Sequence, residues 1–401
     1  MGTSVFALQQ VAAQTLIKPA EPGDQVTLLP SDLAIFEAGE PRKDLPCTVT
    51  QPKPQLGFDL RFHAEYDVSL PLREVAGPEH YLTVLFRVRS VDTNSEPAYF
   101  VQHFRVPQIV DDAKGDAALQ GEINLGEGKY HVDWLMRDPA ERICSSAWEV
   151  ETALPAKDRS VELFLPPSAI AEPVLQPFST DERAPGEGRG DLTIKLLVNF
   201  APQDDLSSVL QRSDTDALLS ILKSIQRNPH VGAISLVAFN LQEGRIVYRQ
   251  EATERIDFPA LGKALSSMKL GTVNVQQLGQ KHGETDFLET LIEKEVGTAH
   301  QPDAIIFAGP KAMLNADVPE TDLRRIGEVE CPVFYMNYNL NPQAVPWKDS
   351  ISHAIRVFKG TEYTITQPRD LWISTSDMIS RILKCKREHM TARLSGSRAA
   401  Q

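Results

Sequence analysis

The sequence predicts two domains of different class, an all-β sandwich followed by an α/β domain built on a doubly wound sheet. Three observations point there. Between positions 58 and 165 apolar residues recur at every second place with turn residues between the runs, the pattern of half-buried antiparallel strands. Residues 166–190 then carry five prolines and three glycines, a composition suited to an extended linker. Beyond it strands and helices alternate, and residues 191–201 are apolar at nearly successive positions, as a strand covered on both faces must be.

At 401 residues the chain exceeds a single typical core, so two domains are the prior. Residues 1–14 read as the back half of a secretion signal, since Val11-Ala12-Ala13 resembles a signal-peptidase site, although a charged n-region and a full apolar region are missing. Residues 15–55 lack periodicity and are expected to form an extended lead-in with one or two short strands to a sandwich domain spanning 15–165. In its first regular strand Phe58, Leu60, Phe62, Ala64 and Tyr66 face inward. Leu82, Val84, Phe86 and Val88 form the next, and Phe100, Gln102, Phe104 and Val106 another. Gly126-Glu127-Gly128 turns between 122–125 and 129–137, where Tyr130, Val132, Trp134 and Met136 face the core. Strands at 143–150 and 160–165 bring the count to about seven, the number of an immunoglobulin-like sandwich. His131 and Asp133 share the outer face and, with no third ligand in view, read as a solvated pair. Cys47 and Cys144 bracket the domain and are expected to form a disulfide.

The second domain, 191–385, opens with its buried strand. A helix follows with Ser213 as expected N-cap and Asp216 three residues on; its buried stripe is Leu218, Leu219, Ile221, Leu222 and Ile225. Then come a buried strand at 233–240, a turn at Gln242-Glu243-Gly244 into a polar edge strand at 245–250, a helix at 258–268, and a connection through 273–278. A helix begun by Thr285 leads to strand 303–308, helix 320–326, strand 332–338, helix 347–357, strand 362–366 and helix 371–383. Right-handed crossovers make this a doubly wound sheet. Cys331 and Cys385 fall at one edge of it, where a bridge and a pair of packed thiols are both compatible with the sequence. Residues 386–401 read as a basic, disordered tail.

Composition excludes several functions. A formal net charge of −13 does not suit a phosphate-backbone binder, so no nucleic-acid partner is expected. No apolar run reaches the roughly 18 residues of a bilayer span. The four cysteines make no C-x-x-C pair and no Cys/His cluster, which argues against zinc; two per domain suits an oxidising compartment. Nucleophile-elbow, zincin and phosphate-loop motifs are all missing.

The element order from residue 191 onward resembles the von Willebrand factor A fold. Metal-binding members of that family place Asp-x-Ser-x-Ser after the first strand, a Thr before a later helix and an Asp after the fourth core strand. Here those positions fall on Asn199, Ala201 and Gln203, on Thr285, and around Gly309. A hard cation needs anionic oxygen ligands, so the resemblance implies a degenerate site that holds no metal, with Asp204 and Asp205 one to two residues past the motif. The stretch Gly128-Lys129-Tyr130-His131-Val132-Asp133-Trp134-Leu135-Met136-Arg137-Asp138 makes the whole chain similar to a group of bacterial exported proteins that pair such a domain with a β-rich one. That likeness implies no known activity; with catalytic motifs missing, the expectation is a secreted or periplasmic, non-enzymatic protein-interaction or assembly protein with no cofactor, whose candidate binding surface includes Asn199, Gln203, Asp204 and Thr285. An enzyme, such as a hydrolase with a site in the interdomain cleft, is the alternative; a metal-dependent adhesin is the second.

Overall fold

Alternating burial builds the first unit. The computed structural model describes residues 5–7, 9–10, 15–17, 28–93, 95–173, 177–179, 190–204, 207, 209–268, 283–297, 302–327, 329–341 and 348–399. The chain divides into two units, Met1–Leu175 and Gln176–Gln401. The first contains β1 (Val5–Ala7), β2 (Gln9–Gln10), β3 (Thr15–Ile17), α1 (Pro30–Ala38), β4 (Thr48–Thr50), β5 (Gln55–Leu56), β6 (Phe62–Pro71), β7 (His80–Ser90), β8 (Ala98–Val106), β9 (Asp116–Leu125), β10 (Gly128–Arg137), β11 (Ile143–Thr152) and β12 (Ile170–Ala171). One sheet runs β1-β9-β6-β4, with β12 on β9 and β5 on β6; the other runs β11-β10-β7-β8-β2, with β3 on β8. The inward residues of both sheets form one shared core, the arrangement of a β-sandwich. At its centre the Tyr66 ring meets Phe86 and Trp134 edge-on, each at 5.9 Å between centroids, and its hydroxyl donates to Gln102 Oε1 at 2.9 Å.

Several expectations change here. The first long strand starts at Phe62 rather than Phe58, because Leu60 takes a left-handed conformation at φ 62° and turns the chain. The strand expected at 160–165 is irregular chain instead. The linker expected at 166–190 belongs in its first part to this unit: Ile170–Ala171 pairs with β9, Gly126 N donates to Ala169 O, and Ser168 N donates to Glu127 O. Of the residues read as a signal remnant, Val5–Ala7 and Gln9–Gln10 are strands laid on the sheets, and the others lie outside the described residues.

The lead-in also contains a helix the periodicity does not announce. Pro30 in the first turn and Gly39 as C-cap at φ 66° mark its ends by their backbone preferences. It lies on the outer face of the second sheet, packing Phe36 over Leu85, Val101, Leu135 and Ile143. Arg137 Nη1 reaches the buried Asp32 carboxylate at 3.1 Å, and Arg87 Nη2 donates to the Phe36 carbonyl at 3.0 Å. Asp133, expected to be solvated, is therefore only 4% exposed; it takes Arg87 Nε at 2.8 Å, with His131 Nε2 at 3.1 Å.

The second unit contains β13 (Leu192–Asn199), α2 (Arg212–Arg227), β14 (Val231–Asn240), β15 (Arg245–Thr253), α3 (Phe258–Leu265), α4 (Gly283–Val296), β16 (Ala304–Pro310), α5 (Glu320–Arg325), β17 (Val333–Tyr338), α6 (Ser350–Val357), β18 (Thr361–Ile365) and α7 (Pro368–Ala399). Its sheet runs β15-β14-β13-β16-β17-β18, parallel throughout except for β15. Leu197, Val237, Phe307 and Tyr335 pack on one face against α4, α5 and α6, while α2 and α7 pack together and touch strands β14 and β18. The connection 273–278 lies outside the described residues.

The N-cap of helix α2 is Gln211 rather than Ser213, and Asp214, not Asp216, is the residue three places on: its Oδ2 accepts from Gln211 N at 3.1 Å. The residues expected as a disordered tail continue α7 to Ala399. The reason is local. Residues 384–393 contain neither Gly nor Pro and are mostly good helix formers, and Lys386 Nζ anchors the helix to Asp303 Oδ2 at 3.0 Å and to the Asp191 carbonyl at 2.6 Å.

Cys47 and Cys144 form a disulfide with Cα atoms 6.2 Å apart, across 97 residues. Cys331 and Cys385 remain thiols; Cys331 is 8% exposed at the foot of β17, while Cys385 Sγ lies 3.8 Å from His389 Nε2 on its own helix. Burial pushes the Cys331 thiol up to about 11, which keeps it protonated and unreactive at neutral pH. Reducing the Cys47–Cys144 bridge, or replacing both residues with Ser, is expected to lower stability by about 3–5 kcal/mol, as loop-closure entropy sets for a loop of this length. Urea denaturation of the first unit's signal with and without reductant measures it; an unchanged midpoint contradicts it.

Candidate functional site

In an open parallel sheet, ligands bind past the carboxyl ends of the strands. At that end of β13 and β14 the chain is stitched by amides. Asn199 Oδ1 accepts from Leu241 N at 3.2 Å, Asn240 Nδ2 donates to Phe200 O at 2.6 Å, and Asn240 Oδ1 accepts from Glu243 N at 2.7 Å. Gly309 lets β16 close on β13, since a Cβ there would stand 2.8 Å from Asn199 Cβ and 3.1 Å from its carbonyl oxygen.

Gln203 acts as a clasp between the loops that follow β13 and β17. Its Oε1 accepts from Leu340 N at 2.8 Å and Asn341 N at 3.2 Å, and its Nε2 donates to Asn341 O at 2.8 Å. Below it Asp214 Oδ1 faces the Tyr338 hydroxyl at 3.2 Å, and that hydroxyl is 3.3 Å from the Ala201 carbonyl oxygen. Burial raises the Asp214 carboxyl above the ordinary carboxylate range, against the bonds from Gln211, Gln203 and Tyr338. Thr285 Oγ1 donates to Ala316 O at 2.8 Å and so pins α4 to the loop after β16.

The residues expected to form a binding surface therefore divide. Asn199, Gln203 and Thr285 are 0%, 6% and 5% exposed and serve as internal brackets; Asp204 alone is exposed, and Asp205 lies outside the described residues. Burial follows from geometry, because side chains at strand ends turn inward when the following loops fold over them. Gln203 Oε1 already accepts two backbone N–H groups and Asn199 Oδ1 accepts one. Among the described residues no three His, Cys, Asp or Glu side chains are grouped to hold a metal.

What the structure does bring together is a cleft of about 320 Å³. Asn199, Ala201 and Pro202 form its β13 side, Leu241 and Gln242 the β14 side, and residues 310–314 the β16 side, with Glu284 from α4. Asn199 and Ala201 were singled out by the sequence. Leu241, Lys311 and Met313 were not, although each follows a strand's carboxyl end and could have been found by that rule alone.

One wall of the cleft is held by a buried carboxyl. Asp349 Oδ1 accepts from Ala312 N at 3.3 Å and from Ile351 N at 3.1 Å at the start of α6. Its Oδ2 is buried beside the Tyr335 hydroxyl without a well-aligned partner among the described residues. Burial, with the charge of Glu362 added, pushes Asp349 up to about 6 despite the backbone bonds it accepts. Glu362 itself is bonded by Asn337 Nδ2 at 2.8 Å and Ser352 Oγ at 2.5 Å.

In the first unit His63 lies between Asp59 and Glu122, each 2.9 Å from a ring nitrogen. Burial opposes its charge, but the two carboxylates prevail and raise it to about 10. Both nitrogens are engaged, which leaves no free base or ligand atom.

No family model matches the chain, and no curated protein does. Solved structures show only slight likeness. A β-glucosidase from Listeria innocua aligns at 12% identity and TM-score 0.18 over 26% of this chain, which spans only 16% of the enzyme. Superoxide reductase (neelaredoxin) from Ignicoccus hospitalis aligns at 14% identity and TM-score 0.17 over 31% of this chain and 93% of its own. The alkylpurine DNA glycosylase AlkC of Pseudomonas fluorescens aligns at 13% identity and TM-score 0.17, over 26% and 30%. Similarities this low carry no functional argument.

A carboxyl whose folded value lies above its unfolded one binds its proton more tightly when folded. The penalty of Asp349 is thus absent below pH about 4, grows as pH rises through about 6 and is constant above. Asp349→Asn keeps the cap acceptor and removes the charge. It is expected to match the parent at pH 4 and exceed it by about 1–3 kcal/mol at pH 7.5, read by urea denaturation at both; a variant less stable at the higher pH contradicts the assignment.

Proposed function

We propose that the chain is an extracytoplasmic protein-interaction or assembly protein whose second unit is a metal-independent counterpart of the von Willebrand factor A domain and whose first is an immunoglobulin-like sandwich. The observation that carries the metal-independent reading is Gln203: its amide bridges the loops after β13 and β17 through three backbone hydrogen bonds of 2.8–3.2 Å. A neutral side chain does there the loop-joining that a bound cation would do. The Cys47–Cys144 disulfide supports an oxidising compartment. No helix among the described residues is long and apolar enough to cross a membrane. Asp204 and the 43% exposed Met313 stand at the same end of the sheet as candidates for partner contact.

Two measurements test this. Calorimetric titration with magnesium, manganese and calcium is expected to give no heat above dilution, and a saturable site that disappears in Asn199→Ala or Thr285→Ala would overturn metal independence. A photo-crosslinking residue placed at Asp204 in producing cells is expected to yield a discrete adduct with a second polypeptide, in the presence of chelator as in its absence. Loss of the adduct in chelator, or no adduct from any position at this end of the sheet, speaks against the interaction reading.

A further inference from the structure

Three polar atoms at or beyond the carboxyl ends of the second unit's strands are buried without a partner among the described residues: Asn199 Nδ2, Asn337 Oδ1 and Asp349 Oδ2. Two belong to amides, which keep one charge state. The third belongs to an acid, and its surroundings offer it two arrangements. The Tyr335 hydroxyl stands beside it and donates to the Pro310 carbonyl at 3.0 Å. A phenol has one proton to give and can also accept. Burial, with the charges of Asp349 and Glu362 added, holds Tyr335 well above the ordinary tyrosine value, so that proton stays. A neutral Asp349 donates from Oδ2 to the Tyr335 oxygen while Tyr335 goes on donating to Pro310. An ionised Asp349 has nothing to donate and competes with the Pro310 carbonyl for the single phenolic proton. One acceptor is then left bare in the interior, which is unfavourable.

We propose that Asp349 and Tyr335 form a proton-operated latch on the loop after β16: the neutral acid locks the loop against α6, and loss of its proton loosens it. The latch goes beyond the interaction reading and does not depend on it. Pro310 ends β16, and the bonds that follow all converge on the start of α6. Ala312 donates its N–H to Asp349 Oδ1 at 3.3 Å, and its carbonyl accepts from Ser350 N at 2.8 Å. Ser350 Oγ accepts from Leu314 N at 3.4 Å and donates to Asp317 Oδ1 at 2.8 Å. Residues 310–314 are also one wall of the cleft, so the latch sets how firmly that wall is held. Glu362 is the second acid of the cluster. Ser352 joins the two, with its N–H on Asp349 and its Oγ on Glu362. Lys311 and Arg356 stand 3.8 and 3.9 Å from Glu362, and Lys348 stands 3.7 Å from Asp317, so these charges pair with one another. The closed loop holds the Asp349 proton to about pH 6, whereas an opened, wetted carboxyl releases it near pH 4. Opening therefore becomes easier as pH rises between those values and is level above them.

Hydrogen exchange of the full-length chain at pH 4.5 and 7.5, read by mass spectrometry and corrected for the intrinsic pH dependence of amide exchange, tests the latch. Protection of residues 311–317 is expected to be lower by about tenfold at pH 7.5, while residues 192–199 of β13 stay protected at both. Asp349→Asn supplies an uncharged donor beside Tyr335 and is expected to keep the loop locked at both pH values. Tyr335→Phe removes the shared proton and is expected to lower protection of the loop at pH 4.5. His353, whose N–H donates to the Asp349 carbonyl, is the imidazole of the same helix, and His353→Gln is expected to keep the parent's profile. Equal protection of 311–317 at the two pH values in the parent overturns the latch, as does a pH difference that persists in Asp349→Asn or vanishes in His353→Gln. Exchange of β13 in step with the loop makes the opening global and overturns it too, and unchanged protection at pH 4.5 in folded Tyr335→Phe removes the phenol from it.

Discussion

The second unit depends on one constraint: strand β13 is buried on both faces over Leu196–Asn199 and on one face before that. Leu192, Ile194, Leu196, Leu197 and Val198 are all fully buried, so helices must cover both sides of the sheet, and both neighbours of β13 in the ladder must be parallel strands with crossovers long enough to supply those helices. The one charged residue of β13 is Lys195. Its ammonium reaches Glu295 on α4, bonding the carbonyl at 2.9 Å, and Arg249 on β15 meets the same residue's carboxylate at 2.6 Å. Despite burial, the two cations hold Glu295 below the ordinary carboxylate range. Charged pairs thus close one side of the central strand, and neutral amides close its carboxyl end. That division explains why the upper end can tolerate an unfilled donor: an unpaired amide costs far less than an unpaired buried charge.

The parts of the fold legible in the sequence were those where burial imposes a period. Tyr130, Val132, Trp134 and Met136 read as one face and are all fully buried, because a strand with one wet side has no other way to segregate its residues. The stripe of α2 and the run of β13 were readable for the same reason. Helix α1 was not, since its nine residues bury only Asp32 and Phe36 and show no repeat to detect; only Pro30 and Gly39 marked it. Asp133 misled because alternation tells which side a residue faces and not what later covers that side. The site divided along the same line. Asn199, Ala201 and Gly309 could be placed by position, as all lie at strand ends. The clasp of Gln203 on Leu340 and Asn341 joins residues more than 130 apart in sequence, and no local pattern encodes it.

The sandwich interior also carries polarity it does not fully satisfy. Gln102 Nε2 is buried without a partner among the described residues, and Trp134 Nε1 is buried beside the Tyr66 hydroxyl without a well-aligned bond, the same hydroxyl that donates to Gln102 Oε1. Gly121 makes room for this group, since a Cβ there would stand 2.2 Å from the Tyr66 hydroxyl oxygen. Such a cluster costs stability relative to an all-apolar core, and it fixes which face of β6 meets which strand of the opposite sheet. A slip of one residue would bury the outward set His63, Glu65 and Asp67 instead.

The docking of α1 has a consequence for the order in which the molecule is made. The helix is translated early, but its seat is assembled from residues 85, 101, 135 and 143, and its ionic anchor Arg137 comes 105 positions after Asp32. During synthesis the N-terminal helix therefore waits, solvated, while most of the first unit emerges behind it. Until Ile143 has left the ribosome, the apolar stripe of the second sheet is open to other nascent polypeptides. Its late closure makes the helix a seal set by the last strands rather than a nucleus for the first.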